Sequence, residues 1–375
     1  DGKRLSWLCW RHPQLPWDGT ELWVGEFDEH GTIVNPKQIA GGKKESLGQP
    51  RWGPDGRLYF VSDRNDWWNL YAWDGDNVAA ITGLEAEIGL PQWVFGQSTY
   101  GFPGDGSIVF AATADGRWSL SRVPLSGGDP EPVDFPYDSI EHVSCGDGSV
   151  VVLAGGPETA PTVFEIADGE TRTVAVSSHA EVPAGFLSRP ESISFETGDG
   201  GEIAHGLFYE PVNAYYRPLP GERPPLLIHC HGGPTGATGT AMDLRIQFWT
   251  SRGFAIVDLN YRGSTGVGRK YRRSLYGKWG KADVEDCVAG ARYLAEAGRI
   301  SGDRLLISGG SAGGYTVLCA LAFTDAFRSG ASYFGVGDPE SMFDATHKFE
   351  SRYDHWLIGD WRGNRAVYRV RSPLR

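Results

Sequence analysis

The sequence predicts two folded units in series: a partial β-propeller over residues 1–188, then a partial α/β domain over 189–375, with a mostly parallel sheet and helices on both faces. Three observations carry this. Length comes first: 375 residues exceed one typical domain. Turn chemistry comes second, because Asp-Gly pairs recur between short apolar runs in the first half. Third is a change of grammar near residue 190, where strand-like runs begin to alternate with helix-like ones.

In the first half, Asp1-Gly2, Asp55-Gly56, Asp105-Gly106 and Asp147-Gly148 start 54, 50 and 42 residues apart. Each precedes an apolar run: Leu5–Trp10, Leu58–Ser62, Ile108–Ala112 and Val150–Ala154. Each is followed by a second run: Glu21–Glu26, Asn69–Trp73, Ser119–Val123 and Thr162–Ile166. A period of about 40–50 residues with four short strands per unit is the signature of propeller blades. A β-sandwich with chance spacing is the alternative. About four blades are visible, the first beginning mid-blade. Fifty-two glycines and 23 prolines without any tract of low complexity read as turns.

In the second half, Leu226–Cys230, Phe254–Leu259, Arg304–Ser308 and Gly330–Phe334 read as strands, and Asp283–Ala297 and Ala312–Phe323 as helices. The boundary falls within Val182–Pro190, and Pro211–Pro225 reads as a loop between early strands. Gly309-Gly310-Ser311-Ala312-Gly313 matches G-x-S-x-G. It sits between a strand and a helix, as the nucleophile elbow of an α/β-hydrolase requires. Ser311 is therefore the expected nucleophile. Gly309 and Gly313 flank it where side chains would collide with the neighbouring strand and helix, and the helix N-terminus adds a positive dipole.

His231-Gly232-Gly233-Pro234 follows a strand upstream of the elbow. Acyl transfer develops an oxyanion, and backbone N–H groups of Ala312 and of the Gly232–Gly233 loop are the expected donors. Glycine lets backbone approach substrate closely. His231 is expected to shape this loop rather than to act as base. Asn260–Gly266 resembles a phosphate loop only superficially: no Gly-Lys-Ser/Thr follows, so it reads as a structural loop beside the site. Asp283, Glu285 and Asp286, after Trp279-Gly280, are expected to cap and pack a helix.

Composition narrows the function classes. A net charge of −12 argues against a nucleic-acid partner. The five cysteines, Cys9, Cys145, Cys230, Cys287 and Cys319, form no metal-ligand spacing and read as free thiols of a reducing, cytoplasmic compartment. No run is long and apolar enough to span a bilayer. The expectations are no metal, no cofactor and no membrane partner, with homo-oligomerisation left open.

The segments "WRHPQLPWDGTELW" (10–23), "HCHGGPTG" (229–236), "GFAIVDLNYRGSTGVGRKYR" (253–272), "WGKADVEDC" (279–287) and "ISGGSAGGY" (307–315) resemble the prolyl oligopeptidase family of serine peptidases, closest to its acylaminoacyl-peptidase and dipeptidyl-aminopeptidase branch. The resemblance implies a propeller capping an α/β-hydrolase domain, oligopeptide substrates and no metal or organic cofactor. It carries the nucleophile to Ser311 and the oxyanion donors to Ala312 and the Gly232–Gly233 loop; in relatives a tyrosine can supply the second donor. It also implies a catalytic Asp and His beyond residue 375, so the chain is read as a fragment, inactive alone. The acids and histidines after the elbow (Asp325, Asp338, Glu340, Asp344, His347, Glu350, Asp354, His355 and Asp360) offer a substitute set only as a lesser alternative. A carboxylesterase of the same fold and a non-catalytic propeller interaction module are the rival functions.

Overall fold

The computed structural model describes residues 2–146 and 148–375, with backbone alone for 343–345. Asp1, Asp147 and the side chain of Asp344 thus lie outside the described residues.

The first half forms four antiparallel sheets in chain order. Strands β1 (Arg4–Cys9), β2 (Thr20–Phe27) and β3 (Ile33–Gly42) make the first. The second holds β4 (Leu47–Trp52), β5 (Leu58–Ser62), β6 (Asn69–Trp73) and β7 (Val78–Ala80). The third holds β8 (Tyr100–Gly101), β9 (Ser107–Ala114), β10 (Arg117–Pro124) and β11 (Glu131–Pro132). The fourth holds β12 (Ser139–Gly146), β13 (Ser149–Gly156), β14 (Thr159–Ala167) and β15 (Glu170–Val176). Each is a meander whose successive strands pair.

Gly56, Gly106 and Gly148 all have positive φ, as their tight turns require. They lie between the first and second strands of their sheets, not between sheets. Each blade therefore starts one strand before its Asp-Gly signal, and the first sheet, lacking that strand, has three. Adjacent sheets bury their faces on each other. Leu22, Val24, Leu58, Phe60 and Tyr71 join the first two, and Val109, Leu120, Val143, Val152 and Phe164 the last two. This blade-on-blade burial makes β5 and β6 apolar on both faces.

From Pro190 onward a single six-stranded sheet runs in the order β16-β17-β19-β18-β20-β21. It opens with the antiparallel hairpin β16 (Pro190–Thr197) and β17 (Glu202–Tyr209). The strands β18 (Leu226–Cys230), β19 (Ala255–Asn260), β20 (Leu305–Gly310) and β21 (Ser329–Tyr333) are mutually parallel. Helix α1 (Leu244–Thr250) covers one face through Ile246, against Leu207, Tyr209 and Ile256. On the other face α3 (Ala282–Glu296) and α4 (Ala312–Phe323) pack against each other and against β18. Between them in sequence with α1, the short α2 (Gly268–Arg273) turns toward the propeller. Helices α5 (Pro339–Ala345), α6 (Tyr353–Leu357) and α7 (Trp361–Val370) form an excursion after β21. The structure is a partial propeller followed by a partial α/β-hydrolase domain.

Candidate active site

Ser311 occupies the single residue between β20 and α4, with φ 54° and ψ −118°. A side chain rarely adopts such backbone, so the surroundings must enforce it. They do so by excluding atoms. A Cβ on Gly309 would lie 2.6 Å from Gly313 O, one on Gly313 would overlap Cys230 O, and one on Gly314 would lie 2.7 Å from Gly335 Cα. Helix α4 is thereby pressed onto β18 and β21. The Ser311 N–H donates to Tyr333 O at 3.0 Å, and Ser311 O accepts from Tyr315 N at 3.1 Å. The Ser311 side chain stays exposed at the C-terminal edge of the sheet.

The His-Gly-Gly loop reaches this turn. A Cβ on Gly232 would sit 3.5 Å from Ser311 Cβ and 3.3 Å from Gly310 O, and Gly233 has φ +118°. Gly232, Gly233, Ser311 and Ala312 are thus brought together. His231 stacks on Tyr261 at 4.4 Å. Its Nδ1 donates to Gly232 O at 2.8 Å, and its Nε2 lies 2.8 Å from Ser264 Oγ. Burial pushes its pKa down to about 4, so both nitrogens are committed and the ring is neutral. It braces the loop.

The segment 260–266 packs beside it. Arg262 places Nε 2.8 Å from Asp286 Oδ1 and Nη2 2.9 Å from Glu285 Oε2, while the Arg262 N–H donates to Asp286 Oδ2 at 2.7 Å. Asp283 accepts from Thr316 Oγ1 of α4 at 2.6 Å. Burial raises both aspartates to about 6. These acids tie α3 to α4 and to the loop, which is more than helix capping.

Sequence reasoning missed a serine–histidine–aspartate row away from the elbow. Asp258, His229 and Ser308 are register partners across β19, β18 and β20, with His229 Nδ1 3.2 Å from Ser308 Oγ. Alternation places each residue on a face of its strand, but only the strand order makes the three neighbours. Ser308, however, lies inside a strand whose backbone donors are engaged in the ladder, so the row offers no oxyanion site. Asp258 Oδ2 accepts from Thr238 Oγ1, while Oδ1 is buried without a partner.

Several candidates downstream of the elbow have partners of their own. Asp338 caps α5 and pairs with Arg375, Glu340 pairs with Arg369, and His347 pairs with Glu350. His355 lies 4.0 Å from Asp360. Among the described residues, none hydrogen-bonds the Ser311 hydroxyl, and no group of three or more His, Cys, Asp or Glu is arranged to hold a metal ion. Cys230, Cys287 and Cys319 are buried and free. Among the described residues no helix is long and apolar enough to cross a membrane. Between the propeller and the hydrolase sheet lies a cavity of about 1100 Å³, bounded by Trp93, Trp118, His142, His205, Thr265 and, next to the His-Gly-Gly loop, Gly236.

A propeller docked on an α/β sheet that carries a nucleophile elbow defines the class. Residues 240–375 match the model of the prolyl oligopeptidase family. The chain is similar over its full length to a solved Mycobacterium tuberculosis puromycin-hydrolysing peptidase, with 37% identity, a TM-score of 0.96 and 58% of that chain covered. It is similar in the same way to a puromycin hydrolase structure, at 34% identity and TM-score 0.95, covering 57%. Dipeptidyl aminopeptidase BIII of Pseudoxanthomonas mexicana is 34% identical over 156 residues, 40% of this chain and 23% of that protein. Residues 240–375 thus resemble the prolyl oligopeptidase family of serine peptidases, and the whole chain shares the fold of these solved peptidases. The chain spans less than two thirds of these relatives' lengths.

Proposed function

We propose that this chain is part of a serine-type peptidase that hydrolyses short peptides through an acyl-enzyme on Ser311. The observation that carries the reading is the juxtaposition of a strained, exposed Ser311 with the Gly232–Gly233 backbone and the N-terminus of α4. Ser311 Oγ would attack the scissile carbonyl. The Ala312 N–H and a backbone N–H of Gly232 or Gly233 would hold the oxygen as it gains charge. Without a base the hydroxyl is a poor nucleophile, so the proton must pass to a histidine oriented by an acid. We assign both partners to the protein's sequence beyond residue 375, because among the described residues no histidine or acid after Ser311 hydrogen-bonds its hydroxyl.

The cavity above the sheet suits an extended oligopeptide, and the names of the puromycin-hydrolysing and dipeptidyl-aminopeptidase relatives support a substrate with a short amino-terminal portion. We place the domain boundary at 188/189, just before β16. A carboxylesterase would use the same machinery, but the propeller roof favours peptides.

A fluorophosphonate probe on the full-length protein tests the assignment. Parent should label and Ser311→Ala should not; equal labelling would remove Ser311 from the mechanism. Aminoacyl-anilides should be cleaved faster than p-nitrophenyl esters of matched acyl groups, and the reverse order favours the esterase.

A further inference from the structure

One propeller side chain reaches the loop that carries Gly232 and Gly233, and a second reaches the 260–266 segment bonded to that loop. Trp93 Nε1 donates to Thr235 O at 2.6 Å. Glu87 Oε2 accepts from Gly266 N at 2.6 Å, and the preceding amide, Thr265 N, donates to Gly236 O at 2.8 Å. Residues 235 and 236 are thus each tied to the propeller, one directly and one through the 260–266 segment.

Both anchors are themselves fixed. The Glu87 N–H and C=O pair with Thr113 O and N of β9 at 3.0 and 2.9 Å. The Glu87 side chain is fully buried, with Oε1 3.2 Å from Arg272 Nη1. The Trp93 ring packs on Trp17 at 4.4 Å and on Tyr353 at 5.7 Å. Tyr353 Oη in turn accepts from Thr235 N at 3.0 Å.

The physical need is plain. An oxyanion donor acts only if its N–H points where charge develops, and misplacement by about 1 Å can cost on the order of 10²-fold. Gly232 and Gly233 have no side chains to fix themselves. His231 braces the loop on one side, and the other side, Thr235–Gly236, is held from the propeller.

We propose that Glu87 and Trp93 are positioning residues for the oxyanion loop, so that docking of the propeller sets the geometry of the acyl-transfer site. The catalytic consequence rests on the peptidase reading; the structural coupling does not. Glu87 borders the cavity, but its fully buried carboxylate acts through Gly266 and Thr265.

The test uses the full-length protein with three variants. Trp93→Phe keeps a packing ring and removes the N–H. Glu87→Ala removes the acceptor, and Glu87→Gln retains it. Trp93→Phe and Glu87→Ala should each lower kcat roughly tenfold or more with KM within about twofold, and Glu87→Gln should restore most of the loss. Amide hydrogen exchange should quicken across residues 231–237 in the first two variants and stay unchanged in α4. An unchanged kcat overturns the proposal, as does a loss shared by kcat, KM and α4 exchange, which would mark general destabilisation. If the parent hydrolyses nothing, the peptidase reading fails, and the exchange arm still decides: unchanged exchange at 231–237 overturns the coupling.

Discussion

The elbow at Ser311 and the seam where α2 meets the propeller solve opposite packing problems. At the elbow, backbone is pressed so closely on backbone that side chains are excluded. Gly309, Gly313 and Gly314 leave no room for a Cβ. At the seam, charges fill the space. Arg272 is fully buried with Nη2 2.5 Å from Asp63 Oδ2, and Arg269 Nη1 lies 2.6 Å from the same oxygen. The Arg272 guanidinium also lies 4.0 Å over Trp68, and Tyr276 donates to Asp18. The elbow cannot accept an added atom, and the seam cannot lose a charge. Excess volume meets a stiff backbone at one place, whereas an orphaned ion meets a low dielectric at the other.

The largest expected effect separates chemistry from packing. Ser311→Ala in the full-length protein should lower kcat/KM by roughly 10⁶-fold while leaving the urea midpoint unchanged. A residual rate within tenfold of the parent would assign the chemistry elsewhere. Next comes the seam. Arg272→Met leaves Asp63 and Glu87 facing each other without their shared cation and should cost about 3–5 kcal/mol in urea unfolding. Adding Asp63→Asn should recover part of that loss, because the two residues are coupled; strict additivity would break the picture of a charge-filled seam.

Gly313→Ala should then cost about 2–4 kcal/mol by forcing α4 off β18. Gly363→Ala in α7, where a Cβ meets nothing within 4 Å, should change stability by less than about 1 kcal/mol. Similar values for the two would refute exclusion at the elbow.

The last comparison is a difference in sign with pH. His231 is held near a pKa of about 4, below its ordinary 6.5. Its contribution is complete above about 6.5 and is lost as pH falls through about 4, so the parent's advantage over His231→Gln should shrink by up to about 3 kcal/mol across that window. Glu87 is raised by burial from 4.5 to about 7. Its contribution is complete below about 4.5 and lost as pH rises through about 7, so the seam should weaken toward alkaline pH. Parent and variants measured from pH 4 to 8 would show the two trends crossing, and parallel trends would contradict the assignment.

The two regions also differ in how far they can be read from residues alone. The elbow is a local motif. Five consecutive residues between a strand run and a helix run state their own geometry, because the steric rule that demands glycine acts within a few residues and on the adjacent strand. The His-Gly-Gly loop is legible for the same reason. Periodic Asp-Gly turns revealed the blades, although the register was offset by one strand: a turn signal marks a hairpin and does not say which strand begins the sheet. The row Asp258–His229–Ser308 was hidden, since it needs the strand order β19-β18-β20, which no local pattern encodes.

By itself, the sequence determined the strand-rich and α/β halves, the elbow at Ser311 and the glycine loop upstream of it, since each depends on short-range sterics and periodicity. Only the tertiary structure decided that Gly232 lies against Ser311, that Trp93 reaches the loop from the propeller, and that Glu87 reaches the 260–266 segment beside it. Those contacts join residues up to 179 positions apart. Such partners are chosen by docking and burial of whole surfaces, and a buried carboxylate becomes meaningful only once the groups that satisfy it are in place.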